Sequence, residues 1–304
     1  MTIPADSMRT STPHIAIVGA GWAGCAAAVR AVQLGAQVTL FEASRTAGGR
    51  ARSVPRNDVP GAALDNGQHI LLGAYNATLD LMRTVHADPQ RLLLRLPLDL
   101  RTPEGHGLRL PAKAFTPQLA VLQAVMQARG WSWAEKYRFL TTAARWQLQA
   151  FTCPAHHTVA DVCQGLGEQV MRSLIVPLCV AAFNSAPEHT SGAVFLRVLH
   201  DALLSQPQSS DALIALVPFG QVLPEPTLAW LQAAGARLAL GQRVVALQKT
   251  AQHRWHLSSS QHAASDGYDH LILACSAWEA ARLAGDWAQQ NNTSAHIDNS
   301  MQWA

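Results

Sequence analysis

The sequence predicts an α/β protein with a parallel sheet, interrupted by a mainly helical insertion. Three observations carry that reading: a strand, glycine turn, helix and strand in succession near the start, an alanine- and leucine-rich stretch in the middle, and a return of strand-like runs after Pro218.

From His14 to Gly19 the chain is apolar and rich in Ile and Val, and it ends in a glycine turn. Cys25 to Leu34 is alanine-rich and free of Gly and Pro, Gly35 closes the helix, and Gln37 to Phe41 ("QVTLF") reads as a second strand. This is a βαβ unit. Residues 45 to 67, rich in Gly, Arg, Pro and Asn, read as a long loop, and Tyr75 to Val85 as a helix. Between Leu92 and Leu110 short apolar runs flank "RTPEGHG", a hairpin signal. Residues 116 to 205 hold several helical segments, among them "QLAVLQAVMQARG" and "WAEKYRFLTTAARWQLQAF". Beyond them "PTLAWLQAAG" reads as a helix, "RLALGQRVVALQK" and "HRWHLSSS" as strands, "YDHLILAC" as a buried strand and "AWEAARLAG" as a helix. The expected organisation is a flexible N-terminus (1–13), a nucleotide-binding domain split into 14–90 and 215–290, a mainly helical domain (91–214) and an irregular tail (291–304).

Composition narrows the function. Hydrophobic residues make up 49% against 14% charged, which fits a large core and argues against disorder. The net charge is only +3, and Arg50, Arg52 and Arg56 form the one modest basic cluster, so no nucleic-acid partner is expected. Five cysteines, odd in number and without C-x-x-C, suggest neither disulfides nor a metal site. His156 and His157 have no acid or cysteine at ligand spacing and read as surface residues. Trp131, Trp133 and Trp146 read as core or channel wall, and Asp161 and Glu168 as solvated helix charges. The first thirteen residues lack the apolar run of a signal peptide, and Leu174 to Phe183 is short and broken by Pro177. A cytoplasmic protein is expected, with peripheral membrane association left open and oligomeric state unread.

The chemistry starts at "GAGWAG". Gly19, Gly21 and Gly24, with Trp22 and Ala23 between them, follow a predicted strand and open a predicted helix, the context in which G-x-G-x-x-G holds a pyrophosphate. Glu42 ends the second strand, where a carboxylate accepts from both ribose hydroxyls and disfavours a 2′-phosphate. Next comes "EASRTAGGR", Glu42 to Arg50. An NAD site has no use for Gly48, Gly49 and Arg50 just past Ala43, whereas FAD runs beyond the first helix and needs bare backbone and a positive charge there.

In these residues the sequence resembles the FAD-dependent amine oxidase and phytoene desaturase superfamily. "LDNGQH", with Asp65, Asn66, Gly67, Gln68 and His69, is similar to the version found in the hydroxysqualene dehydroxylases of hopanoid biosynthesis, formerly called squalene-associated FAD-dependent desaturases. So are "VPLCVAAFNSAPEHTSG", "FLRVLHDALL" and "GQVLPEPTLAWLQAAGARLALGQRVVAL". The resemblance implies a Rossmann-like FAD-binding domain with an inserted helical substrate domain, backbone contact from Val244 to the adenine, and reductive dehydroxylation of hydroxysqualene to squalene. It implies a hydrophobic isoprenoid partner. His69, close to the flavin-facing loop, is the candidate for acid assistance to departing water. The superfamily closes its FAD site with a second glycine-rich segment, whereas this sequence has one glycine, Gly285, after Cys275, so a C-terminally truncated chain is expected. The alternatives are a phytoene-desaturase-like or amine-oxidising flavoenzyme, or a non-catalytic nucleotide-binding remnant.

Overall fold

The computed structural model describes residues 12–55, 63–67, 69–111, 116–260 and 267–290. Most of the expected N-terminal arm, all of the expected tail and Gln68 lie outside the described residues. The chain forms two compact units: Met1–His69 with Leu79–Leu92 and Ala215–Ala304, and Ile70–Thr78 with Leu93–Ile214. The expected first segment, 14–90, therefore does not stay whole. Ile70–Leu72 pairs antiparallel with Ala212–Ala215, and that ladder carries Ile70–Thr78 into the second unit.

The first unit is built on a four-stranded parallel sheet. Strand β1 (His14–Val18) lies between β2 (Gln37–Glu42) and the strand His270–Leu273, and Arg237–Leu240 pairs with the far side of β2. Helix α1 (Trp22–Gln33) joins β1 to β2. It forms because its alanines favour helix and because Cys25, Ala28, Val29 and Ala31 make one buried face. It stops at Gly35, whose φ of +84° lets the Gly35 and Ala36 amides bond back to Val32 and Ala31. One core gathers Ala16, Val18, Phe41, Val244, Leu257 and Tyr268. Val244–Lys249 and Trp255–Ser259 form their own antiparallel pair, packed against that core. His270–Leu273, expected as a buried strand, alternates between exposed and half-buried residues, as a strand at the sheet margin does. The long loop expected at 45–67 holds a short antiparallel ribbon, Ser53–Pro55 against Ala63–Asp65.

The second unit is mainly helical, with Pro117–Gln127, Trp133–Leu148, Val176–Phe183 and Gly192–Leu199 as its longer helices. It also holds the sheet of Ile70–Leu72, Ala212–Ala215 and Leu93–Leu96, and the expected hairpin, Asp99–Arg101 with Gly107–Arg109. Trp131 and Trp146 lie in its core, as expected, and each indole N–H is bonded: Trp131 Nε1 to Ser173 Oγ at 2.8 Å, and Trp146 Nε1 to the Val162 carbonyl at 3.2 Å. Trp133 departs from expectation. It is 71% exposed at the start of its helix, with Lys136 Nζ 4.9 Å from its ring centroid. Asp161 is more than a solvated charge, because it closes a capping box with Thr158; Ser132 and Glu135 form a second. A π-helical turn, Met171–Ile175, precedes Pro177, which has no N–H to give the ladder. No helix among the described residues is long and apolar enough to cross a membrane.

Candidate functional site: a glycine cradle in the first unit

At the C-terminal end of β1 the three glycines do different work. A Cβ on Gly24 would sit 1.8 Å from the Gly19 carbonyl oxygen, and one on Gly19 would sit 2.7 Å from the Ala274 oxygen. Both are therefore required by the packing of helix on sheet. Gly21 is not. Its φ of −69° and ψ of 177° suit any residue, and a Cβ there would meet only Gly49 Cα at 4.0 Å. Among the described residues no contact explains a bare backbone at Gly21. What it leaves is open space in front of a helix N-terminus.

That N-terminus is unblocked. Gly21 caps α1 without a side-chain hydrogen bond, and the first turn carries no acid, so no carboxylate competes with an anion for the helix dipole. Gly48 pairs across to Gly21, its amide bonds the Ala20 carbonyl at 2.8 Å, and a Cβ on Gly49 would approach Gly21 Cα to 3.2 Å. Two bare segments thus line one cradle. Trp22 is half-buried, while Ala23, Ala43, Gly49 and Arg50 are exposed around it.

Glu42 stands at the edge of this cradle. Its Oε2 accepts from the Ala20 amide and its Oε1 from the Ser44 amide, both at 2.8 Å. Each oxygen keeps lone-pair capacity, the requirement for taking two ribose hydroxyls. The Gln242 amide bonds the Glu42 carbonyl and the Gly241 amide bonds the Ser44 carbonyl, both at 2.8 Å, which brings the buried Val244 alongside. Cys25 lies beneath with its thiol pushed up to about 12, first by burial and then by the negative charge of Glu42, so it stays an unreactive thiol.

The "LDNG" segment folds back on the same loop. The Asn66 amide bonds the Arg52 carbonyl at 2.9 Å, and Asn66 Nδ2 reaches the Arg50 carbonyl at 3.3 Å. Arg52, which sequence reasoning placed only in a basic cluster, holds the loop by donating to Ser44 Oγ at 3.1 Å. Asp65 is also a structural anchor: its Oδ1 accepts from Ser53 Oγ and from the Phe219 amide, both at 2.7 Å.

Phe219 is the residue that sequence reasoning missed. Its ring stacks on Trp22 at 5.1 Å and 14°, and on its other contact it meets His69 at 5.1 Å and 38°. Among the described residues, Trp22 Nε1 and His69 Nε2 are buried with no hydrogen-bond partner. "VPFGQ" carries no chemical signature of its own, so only the folding of three distant segments together could reveal the stack. No group of three or more metal-ligating side chains occurs among the described residues.

Comparison with known proteins places the whole chain. The family described as flavin containing amine oxidoreductase matches residues 22–297. A hydroxysqualene dehydroxylase from Sinorhizobium fredii is 26% identical over 86% of this chain, and one from Rhodopseudomonas palustris is 29% identical over 78% of it. The chain spans 60% and 54% of the lengths of these two relatives. Among solved structures, an oxidoreductase from Methanosarcina mazei superimposes with a TM-score of 0.64 at 14% identity, covering 90% of this chain and 61% of that one, a likeness of fold. FAD, the cofactor expected from the sequence, accords with this family, and the open space at Gly21, the α1 N-terminus without a side-chain cap and the remaining lone-pair capacity of Glu42 fit it.

Proposed function

The chain belongs to the flavin containing amine oxidoreductase family, and we propose that it belongs to an FAD-dependent oxidoreductase of isoprenoid metabolism that converts hydroxysqualene to squalene. The observation that carries the flavin half of this reading is the unexplained bareness of Gly21 opposite Gly49. The substrate half is supported by the names of the two dehydroxylase relatives, which align along most of the chain.

Reduced FAD, when bound, supplies hydride to the allylic carbon of the substrate. The protein's share begins with the amides at the start of α1, which take the pyrophosphate, and with Glu42, which holds the adenosine ribose. Gly48 and Gly49 let the nucleotide pass close to backbone. Asn66 and Gly67 line the return segment, and Val244 offers backbone to the adenine. His69 holds a proton at Nε2 and delivers it to the leaving hydroxyl, so that the C–O bond breaks with loss of water. The mainly helical unit receives the apolar chain of the isoprenoid, which peripheral contact with a membrane would bring to it.

The test is an anaerobic incubation of the FAD-loaded, reduced chain with hydroxysqualene. Squalene formation, lowered at least tenfold in His69→Ala, is the expected result. FAD binding without squalene removes the dehydroxylation reading and leaves the flavin site standing.

A further inference from the structure

Three rings from three distant segments meet in the first unit, and each is held from behind. Trp22 opens α1, so its backbone is fixed by the helix. Phe219 opens the short helix Phe219–Val222, where its amide bonds Asp65 and the next amide, Gly220, bonds Ser53 Oγ at 2.9 Å. Ser53 in turn donates to Asp65. His69 lies on Phe219, a few residues past that anchor.

The outcome is unusual for a packed interior. A buried donor left without a partner costs roughly 1–3 kcal/mol, and native interiors pair nearly all of them. Here two nitrogens, Trp22 Nε1 and His69 Nε2, are unpaired on the two neighbours of one phenylalanine ring. An indole donor kept unsatisfied beside a cradle that packing does not explain is a donor kept for a ligand.

We infer that Phe219, latched by Asp65, is a positioning residue that holds the Trp22 indole for donation to an oxygen of the bound flavin nucleotide. His69, on the other contact of the same ring, keeps its own nitrogen for the substrate. This inference rests on the flavin reading and on Trp22 standing next to Gly21; it adds a side-chain donor to a site whose other donors are backbone amides.

The signature is a loss of affinity out of proportion to the loss of stability. Trp22→Phe keeps a flat ring for the stack and removes the N–H together with the smaller ring of the indole. Without flavin the variant should lose less stability than Trp146→Phe, since the N–H it removes has no partner while that of Trp146 is bonded. Its dissociation constant for FAD, read by flavin fluorescence, should rise about fivefold, the size of one net hydrogen bond. Near-ultraviolet circular dichroism should change on FAD addition in the wild-type chain and change less in the variant. Phe219→Leu, which keeps an apolar side chain but no plate, should weaken FAD binding by a similar factor.

Equal FAD affinity in Trp22→Phe overturns the inference and leaves the flavin reading intact. A loss of stability in flavin-free Trp22→Phe as large as that in Trp146→Phe overturns it too, because the indole N–H would then be paired as that of Trp146 is. If the wild-type chain binds no FAD, both the inference and the reading fail.

Discussion

Three of this protein's tryptophans make one comparison. In the mainly helical unit Trp131 and Trp146 are buried, and each indole N–H has an acceptor inside the same core. At the glycine-rich end of the parallel sheet Trp22 is just as firmly held by a ring stack, yet its N–H has none. The two regions obey different demands. A core built only for stability pairs nearly every polar atom it buries, whereas a region that leaves a donor unpaired and a glycine unexplained is shaped by something other than its own packing.

That contrast can be broken most forcefully at the glycines. Gly24→Ala drives a Cβ into the Gly19 carbonyl, and we expect a loss of more than about 3 kcal/mol in urea unfolding. Gly21→Ala, three residues earlier, should cost less than about 1 kcal/mol and yet raise the dissociation constant for FAD more than tenfold. Next comes Trp146→Phe in the helical unit. It strands the Val162 carbonyl and should cost about 1–3 kcal/mol, more than the same change at Trp22. Glu42→Gln comes third, because an amide nitrogen cannot accept from the Ala20 or Ser44 amide. About 1 kcal/mol of stability and roughly tenfold in FAD affinity should go with it.

The smallest effect belongs to the helix caps. Ser132→Ala removes one capping box and should cost about 1 kcal/mol. The Glu135 carboxyl is held below the usual range, first by the Ser132 backbone amide, against the opposing effect of its burial. A carboxyl lowered in the folded state contributes stability that is complete above its unfolded pKa and is lost as pH falls through the folded one. Urea midpoints of the wild-type chain should therefore fall on acidification below about pH 4, and those of Ser132→Ala should fall less steeply.

How much of this was legible follows from how local each feature is. The β1, α1, β2 unit could be read directly, since the apolar run, the glycine turn, the alanine helix and Gly35 are all signals within a few residues. So could the "RTPEGHG" hairpin. Partner choice was harder. Ile70–Leu72 reads as a short apolar run, and nothing in it announces pairing with Ala212–Ala215 and departure from the first unit. Trp131 and Trp133 are two residues apart and opposite in burial, because Trp133 begins a helix on its outer face. In the candidate site, the glycines and Glu42 were legible because phosphate and ribose demand specific residue types. Phe219 was not, nor was the latch that Asp65 makes to it, since a bond between residues of such distant segments is set by the fold alone.

Titration of the purified chain with FAD tests the central claim most directly, that the space at Gly21 exists for a flavin nucleotide. The account predicts saturable binding of one FAD per chain by the wild type, and loss of that binding in Gly21→Val with the melting temperature of the flavin-free protein little changed. Equal binding by Gly21→Val, or none by the wild type, would contradict it.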